Sequence, residues 1–243
     1  MEQAIAVVIA AAVAGVVSIA TSLITARNQI VAAERRLEHE QRAEKERERE
    51  KQRIQYLDPL VVAATDLLAK IAKLREELLE KESFWQDIFE QVKFHDRRRR
   101  EDFAFWCNGY GAGAVTTLYV TIVFFARAKK IRSELPFVQL GPEDDRALLG
   151  HLSEVREAFG GEPSLWDELQ DSLGDYVTRP DGTIMNYKEF CLQLIDTWGH
   201  IWLTRLIDFY KDVHMKQDHE LPRIEGALKR LISFSRAVSS VKT

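Results

Sequence analysis

Ala4 to Ala26 carries no charged residue, whereas from Glu34 to Arg53 fifteen of twenty positions are charged. The two segments are joined by only seven residues, and none of these is Gly or Pro. An apolar helix of that length, at ~1.5 Å per residue, reaches about 35 Å and covers a hydrocarbon core of about 30 Å. A secretory signal is the main rival. Its leading region carries Lys or Arg, but here only Met1, Glu2 and Gln3 precede the apolar run, and its apolar region is shorter, about 7–15 residues. A buried core helix would have to run without a turn into a solvated one. The expectation is therefore a retained transmembrane anchor over residues 1–26.

Flanking charge sets the orientation. No basic residue precedes the apolar run, while Arg27, Arg35, Arg36, Arg42 and Lys45 follow it. Basic flanks stay in the cytoplasm, which puts the C-terminal part there and the first residues outside. Within the anchor, Ala10, Ala14 and Ser18 recur every four residues beside Gly15. Small residues at that spacing let two helices pack closely in lipid, so this stripe is a candidate homodimer contact.

Residues 27–56 read as a charged helical stalk. Glu38 with Arg42 and Glu50 with Arg53 are spaced to support an exposed helix by about 0.2–0.5 kcal/mol per pair. A coiled coil would need apolar a and d positions. Ile30 and Leu37 supply one step, but Glu44 and Lys51 follow, so the seam fails after one heptad.

Residues 57–243 read as a globular all-α domain. Leu57-Asp58-Pro59 is expected to break the stalk, with Asp58 as N-cap and Pro59 in the first turn. Leu60, Ala64, Leu67, Leu68, Ile71, Leu74, Leu78 and Leu79 then recur at steps of three and four, one buried helix face. Ser83 is expected to cap a second helix, Gly141-Pro142 to open another that stops at Gly160-Gly161, and Ser164 to cap the next. Arg179-Pro180-Asp181-Gly182 has the chemistry of a turn. Asn186 and Glu189 form a capping box for a long helix from Tyr187 to Gln217, and Pro222 opens the last helix. Period-two alternation is nowhere sustained, so no sheet is expected. Phe103 to Ala126 is apolar enough to span a membrane, but basic clusters flank both ends, Arg97–Arg100 and Arg127–Arg132. A central core helix is the preferred reading over an inserting segment.

Little of the sequence points to chemistry. The formal net charge of −4 gives no bulk attraction to nucleic acid, and no nucleic-acid partner is expected. Cys107 and Cys191, the chain's two cysteines, read as buried thiols rather than a disulfide scaffold. Asn108 to Gly113 has three glycines but lacks the Lys-Ser/Thr of a phosphate loop, so a helix break is expected. Asp208 and Asp212, and His214 and Asp218, are each four apart on one helix and are the only metal-ligand candidates. Lys211 and Lys216 lie among them, and the two pairs lie on different faces, so no cofactor is expected. Trp166, Trp198 and Trp202 are expected in the core.

Four segments resemble those of a group of uncharacterised bacterial membrane-anchored helical proteins: Trp106–Gly111, Glu134–Leu140, Leu165–Asp175 and Arg205–Tyr210. The resemblance covers the helical domain only. It implies a bacterial host, hence an inner-membrane location, and brings no activity and no site residues. The functional expectation is an interaction module, a scaffold, sensor or regulatory subunit with a protein partner. The alternatives are a metal-dependent enzyme using Asp208–His219 and a membrane-acting effector that inserts Phe103–Ala126.

Overall fold

The computed structural model describes residues 27, 29, 33–48, 50–94, 100–138, 140–160, 165–194, 197–212 and 220–240. The anchor, its stripe of Ala10, Ala14, Gly15 and Ser18, and the Arg97–Arg99 part of the basic run lie outside these residues. Two compact units divide the chain, Met1–Glu50 and Lys51–Thr243. In the first, residues 33–48 are helical and exposed, and Arg42 Nη2 lies 3.8 Å from Glu38 Oε2. The i,i+4 spacing thus forms one of the pairs that suit a solvated helix.

The second unit is all-helical among its described residues. Its elements are α1 (Asp58–Phe94), α2 (Arg100–Asn108), α3 (Ala112–Val138), α4 (Pro142–Phe159), α5 (Asp167–Val177), α6 (Tyr187–Leu194), α7 (Thr197–Asp212) and α8 (Glu220–Ser240). Residues 51–56, stalk-like in composition, belong to this unit: Arg53 Nη1 donates to Ser239 O at 3.0 Å, and the Lys130 ammonium sits 5.7 Å above the Tyr56 ring.

No break occurs at Asp58-Pro59. Arg53–Leu57 forms a π-turn that leads straight into α1, and Asp58 has helical angles and donates its N–H to Arg53 O. Pro59 brings no N–H, and its ring conflicts with the carbonyl four residues back. A widened turn just before it absorbs that conflict without ending the helix. Ser83 does not cap a second helix either, since α1 runs on to Phe94. The buried face of Leu60, Ala64, Leu67, Ile71 and Leu74 extends to Ile88, and burial of that stripe outweighs one serine's capping preference.

Helix α3 is the centre. It packs against α1 and α5 most extensively and also meets the π-turn, α2, α4 and α6; α1 packs on α7 and α8, and α4 lies on α8. Val115, Leu118, Ile122, Phe124 and Phe125 of α3 are buried. Rings continue the core outward: Phe125 to Phe159 at 5.1 Å, Phe159 to Phe209 at 5.5 Å and Phe209 to Tyr210 at 5.3 Å between centroids. Each such fully buried side chain contributes about 1.5–3 kcal/mol. The expected helix break lies between α2 and α3. Gly109 N and Gly111 N both donate to Trp106 O, and the two helices meet at 78°. A side chain at Gly111 would strike the Trp106 ring, since its Cβ would lie 2.5 Å away. No single helix among the described residues is long and apolar enough to cross a membrane; the bent pair of Asp102–Asn108 and Ala112–Glu134 together is.

Other local readings hold. Gly141 (φ 129°) precedes Pro142 with Glu143, Asp144 and Asp145 in the first turn of α4. The Arg179–Gly182 turn closes with Gly182 N to Arg179 O at 2.8 Å, and Gly182 takes φ 77°. It links one isolated bridge, Thr178 to Ile184, and no strand occurs among the described residues. Asn186 Oδ1 accepts from Glu189 N at 3.0 Å while Glu189 Oε2 accepts from Asn186 N at 2.9 Å, a complete capping box. Ser164 lies outside the described residues, and α5 starts after Trp166 in an extended conformation. The long helix expected from Tyr187 is recorded as α6 and α7, with residues 195 and 196 outside the described set. Trp166 and Trp202 are not in the core but about half exposed. Trp166 sits at the cap of α5, and Trp202 lies next to the buried Leu203 in α7 but faces outward.

Candidate functional site

The expected metal ligands do not assemble among the described residues. Asp208 and Asp212 are half-buried on α7, His214 and Asp218 lie outside the described set, and no three metal-ligating side chains come together within it.

The surface instead presents a groove between α1 and α3 that the buried-face pattern does not announce. Ile54, Asp58, Val62 and Asp66 follow one another at four-residue steps along the π-turn and α1, forming one wall. Val123 and Arg127, also four apart, form the other on α3. Pro59 and Ala63 lie between them, and the space holds about 350 Å³. Four-residue steps put side chains on one helix face, so the first wall alternates apolar and acidic groups.

Two features set this groove apart from ordinary surface. Ile54 is 56% and Val62 59% exposed, both β-branched residues of a helix whose opposite face is already buried. Arg127 is half-buried yet has no carboxylate partner among the described residues. Burial pushes its guanidinium below the usual range, and Tyr119 offsets part of that. Arg127 remains a cation, and it faces Asp58 and Asp66 across the groove. The groove therefore has an apolar floor with acids on one side and a cation on the other. The signal available from sequence was the Ile54-Asp58-Val62-Asp66 spacing; pairing it with Val123 and Arg127 required knowing that α1 and α3 are neighbours.

Several other polar surface groups among the described residues are already paired. A smaller cavity of about 200 Å³ is lined by Lys70, Lys73, Tyr110 and Thr117. Lys73 lies 3.5 Å from Glu77, and the Thr117 hydroxyl donates to Gly113 O at 2.9 Å. Arg156 bridges Asp167 at 3.2 Å and Asp171 at 3.7 Å, and Asp171 also pairs with Arg132, which ties α3, α4 and α5 together.

Comparison with protein-family models, curated proteins and solved structures finds no match. The described residues define an all-helical bundle with this groove on its surface, and function is argued from the groove.

Proposed function

We propose that the chain is a membrane-tethered helical interaction module in a bacterial inner membrane, a scaffold, sensor or regulatory subunit that docks a protein partner in the α1–α3 groove. The observation that carries this reading is the joint placement of exposed Ile54 and Val62 with the half-buried Arg127 in one groove. Exposed β-branched residues flanked by unneutralised charge suit an amphipathic helix laid into the groove. The partner helix would present an apolar stripe with a carboxylate on the Arg127 side and a base on the Asp58–Asp66 side. Desolvated charge pairs of that kind set register and exclude wrong partners.

The test places a photo-crosslinking amino acid at Val62 in the full-length chain in bacterial membranes. One dominant adduct is expected, lost in Arg127→Glu and absent when the crosslinker replaces Leu149 on α4. An adduct that persists in Arg127→Glu, or the same adducts from Leu149, would overturn the docking reading. The tether is tested separately. Protease added to spheroplasts should spare residues 51–243, and their digestion without lysis would reverse the topology.

A further inference from the structure

The two walls of the α1–α3 groove carry opposite charge. Asp58 and Asp66 stand on the α1 wall, and Arg127 stands on the α3 wall. Each wall also offers apolar surface one helical turn from its charge: Ile54 and Val62 on the first, Val123 on the second. Ile54 and Val62 are more than half exposed, and Val123 and Arg127 are half-buried. Each wall therefore has the chemistry that the opposite wall would bind.

A two-fold axis running along the groove makes use of this. Rotation about it exchanges left and right but keeps direction along the groove. The α1 wall of each copy then lies against the α3 wall of the other, the same contact made twice. Asp58 and Asp66 of one copy face Arg127 of the other, and Ile54 and Val62 cover Val123. An axis across the groove would instead set acids against acids, the like-charge arrangement that specific interfaces avoid. The axis along the groove also leaves α1 pointing the same way in both copies. Two chains tethered to one membrane by their N-terminal ends require that.

We propose that the occupant of the groove is a second copy of this chain, held by this two-fold contact of α1 wall against α3 wall. The proposal rests on the docking reading and names its partner. From Ile54 to Asp66 the α1 wall is about 18 Å long at ~1.5 Å per residue, so the contact is a short one. Confinement of both copies to one membrane raises their effective concentration for each other. A contact smaller than the ~1,200–2,000 Å² of a stable soluble complex then suffices.

The experiment co-expresses two full-length chains in bacterial membranes, one with a photo-crosslinking amino acid at Val62 and one with an affinity tag. An adduct holding both chains is expected, with position 62 joined to an α3 peptide that contains Val123 and Arg127. Arg127→Asp in both chains should abolish it, and so should Asp58→Lys with Asp66→Lys in both. The adduct should return when one chain carries the first change and the other carries the second, because both pairs of walls are then complementary again. Loss without that return, in chains that keep wild-type membrane levels, would overturn the proposal, as would a two-chain adduct that maps away from α3. A single adduct to a different protein, lost in Arg127→Asp, would also overturn it and leave the docking reading intact. The absence of any adduct that depends on Arg127 would overturn both. Should a variant fail to accumulate, the wild-type map alone decides.

Discussion

The Tyr210 hydroxyl lies 2.7 Å from the Thr121 hydroxyl in the interior, between α7 and the central helix α3. Thr121 already gives its proton to Thr117 O at 2.7 Å, so Tyr210 is the donor and Thr121 the acceptor. This fixes an asymmetry. Tyr210→Phe removes the donor and leaves Thr121 still bonded through its own proton, at a cost of about 1 kcal/mol. Thr121→Val removes both hydrogen bonds that Thr121 makes, to Thr117 O and from Tyr210, at about 0.5–1.5 kcal/mol each. Urea unfolding of the two variants should therefore rank Thr121→Val as the more damaging; the reverse order would reverse the assignment of donor and acceptor.

The same hydroxyl predicts the alkaline limit of the fold. Burial pushes the Tyr210 pKa well above its ordinary 10.0. A group raised in the folded state favours folding fully below its unfolded pKa, and that contribution is lost as pH rises above it. Stability should thus be flat with respect to this group below pH 10.0 and fall beyond it. Tyr187 is raised for the same first reason, burial. In Tyr210→Phe the fall should be shallower by one group, read from urea midpoints across the alkaline range, with the Tyr187 part remaining.

The capping box at the start of α6 separates a cap from an ion pair. Glu189 accepts from Asn186 N and also pairs with Arg179 across the turn, with both partners partly exposed. Asn186→Ala deletes the acceptor for Glu189 N and should cost about 0.5–2 kcal/mol. Glu189→Gln keeps a side chain that can complete the box and loses only a partly exposed ion pair, about 0–1 kcal/mol. Thermal melts of the two variants check the order. A larger loss in Glu189→Gln would mean that the Arg179 pair, not the cap, holds the hairpin to α6.

That box was legible in the sequence because all its partners lie within four residues. The same holds for Gly141-Pro142, for the Arg179–Gly182 turn and for the three-and-four spacing of Leu60 to Leu74. Asp58-Pro59 and Ser83 carry equally good local signals, yet the helix runs through both. Their preference amounts to about 1 kcal/mol, and the burial of Leu60, Ala64, Leu67, Ile71, Leu74 and Ile88 on one helix outweighs it. Of the groove, only the four-residue spacing of Ile54, Asp58, Val62 and Asp66 was legible; its second wall was not. Val62 and Arg127 line one groove only because α1 crosses α3, and no single-helix pattern encodes which helices become neighbours. Trp166 and Trp202 were misplaced for a related reason, while the Trp198 side chain lies outside the described ones. Their bulk argues for burial, but Trp166 caps a helix and Trp202 faces out beside the buried Leu203.

Two glycines give opposite expectations for one substitution. Gly174 lies where α5 crosses α3, and a Cβ there would stand 2.9 Å from Ala126 N and 3.0 Å from its Cα. These are backbone atoms of the central helix, so relief requires α5 to move away from α3, and with it Leu173 and Val177, both buried. Overpacking of this kind costs about 1–3 kcal/mol. Gly150 sits mid-helix in α4 with nothing within 4 Å of its would-be Cβ. Alanine there adds no contact and removes the conformational freedom of glycine in the unfolded chain, a gain of about 0.5–1 kcal/mol. Gly150→Ala should raise the melting temperature and Gly174→Ala should lower it, measured on the same preparation by circular dichroism. If Gly174→Ala melts at or above the wild type, α5 does not approach α3 as closely as 2.9 Å, and the central position of α3 in the bundle would need revision.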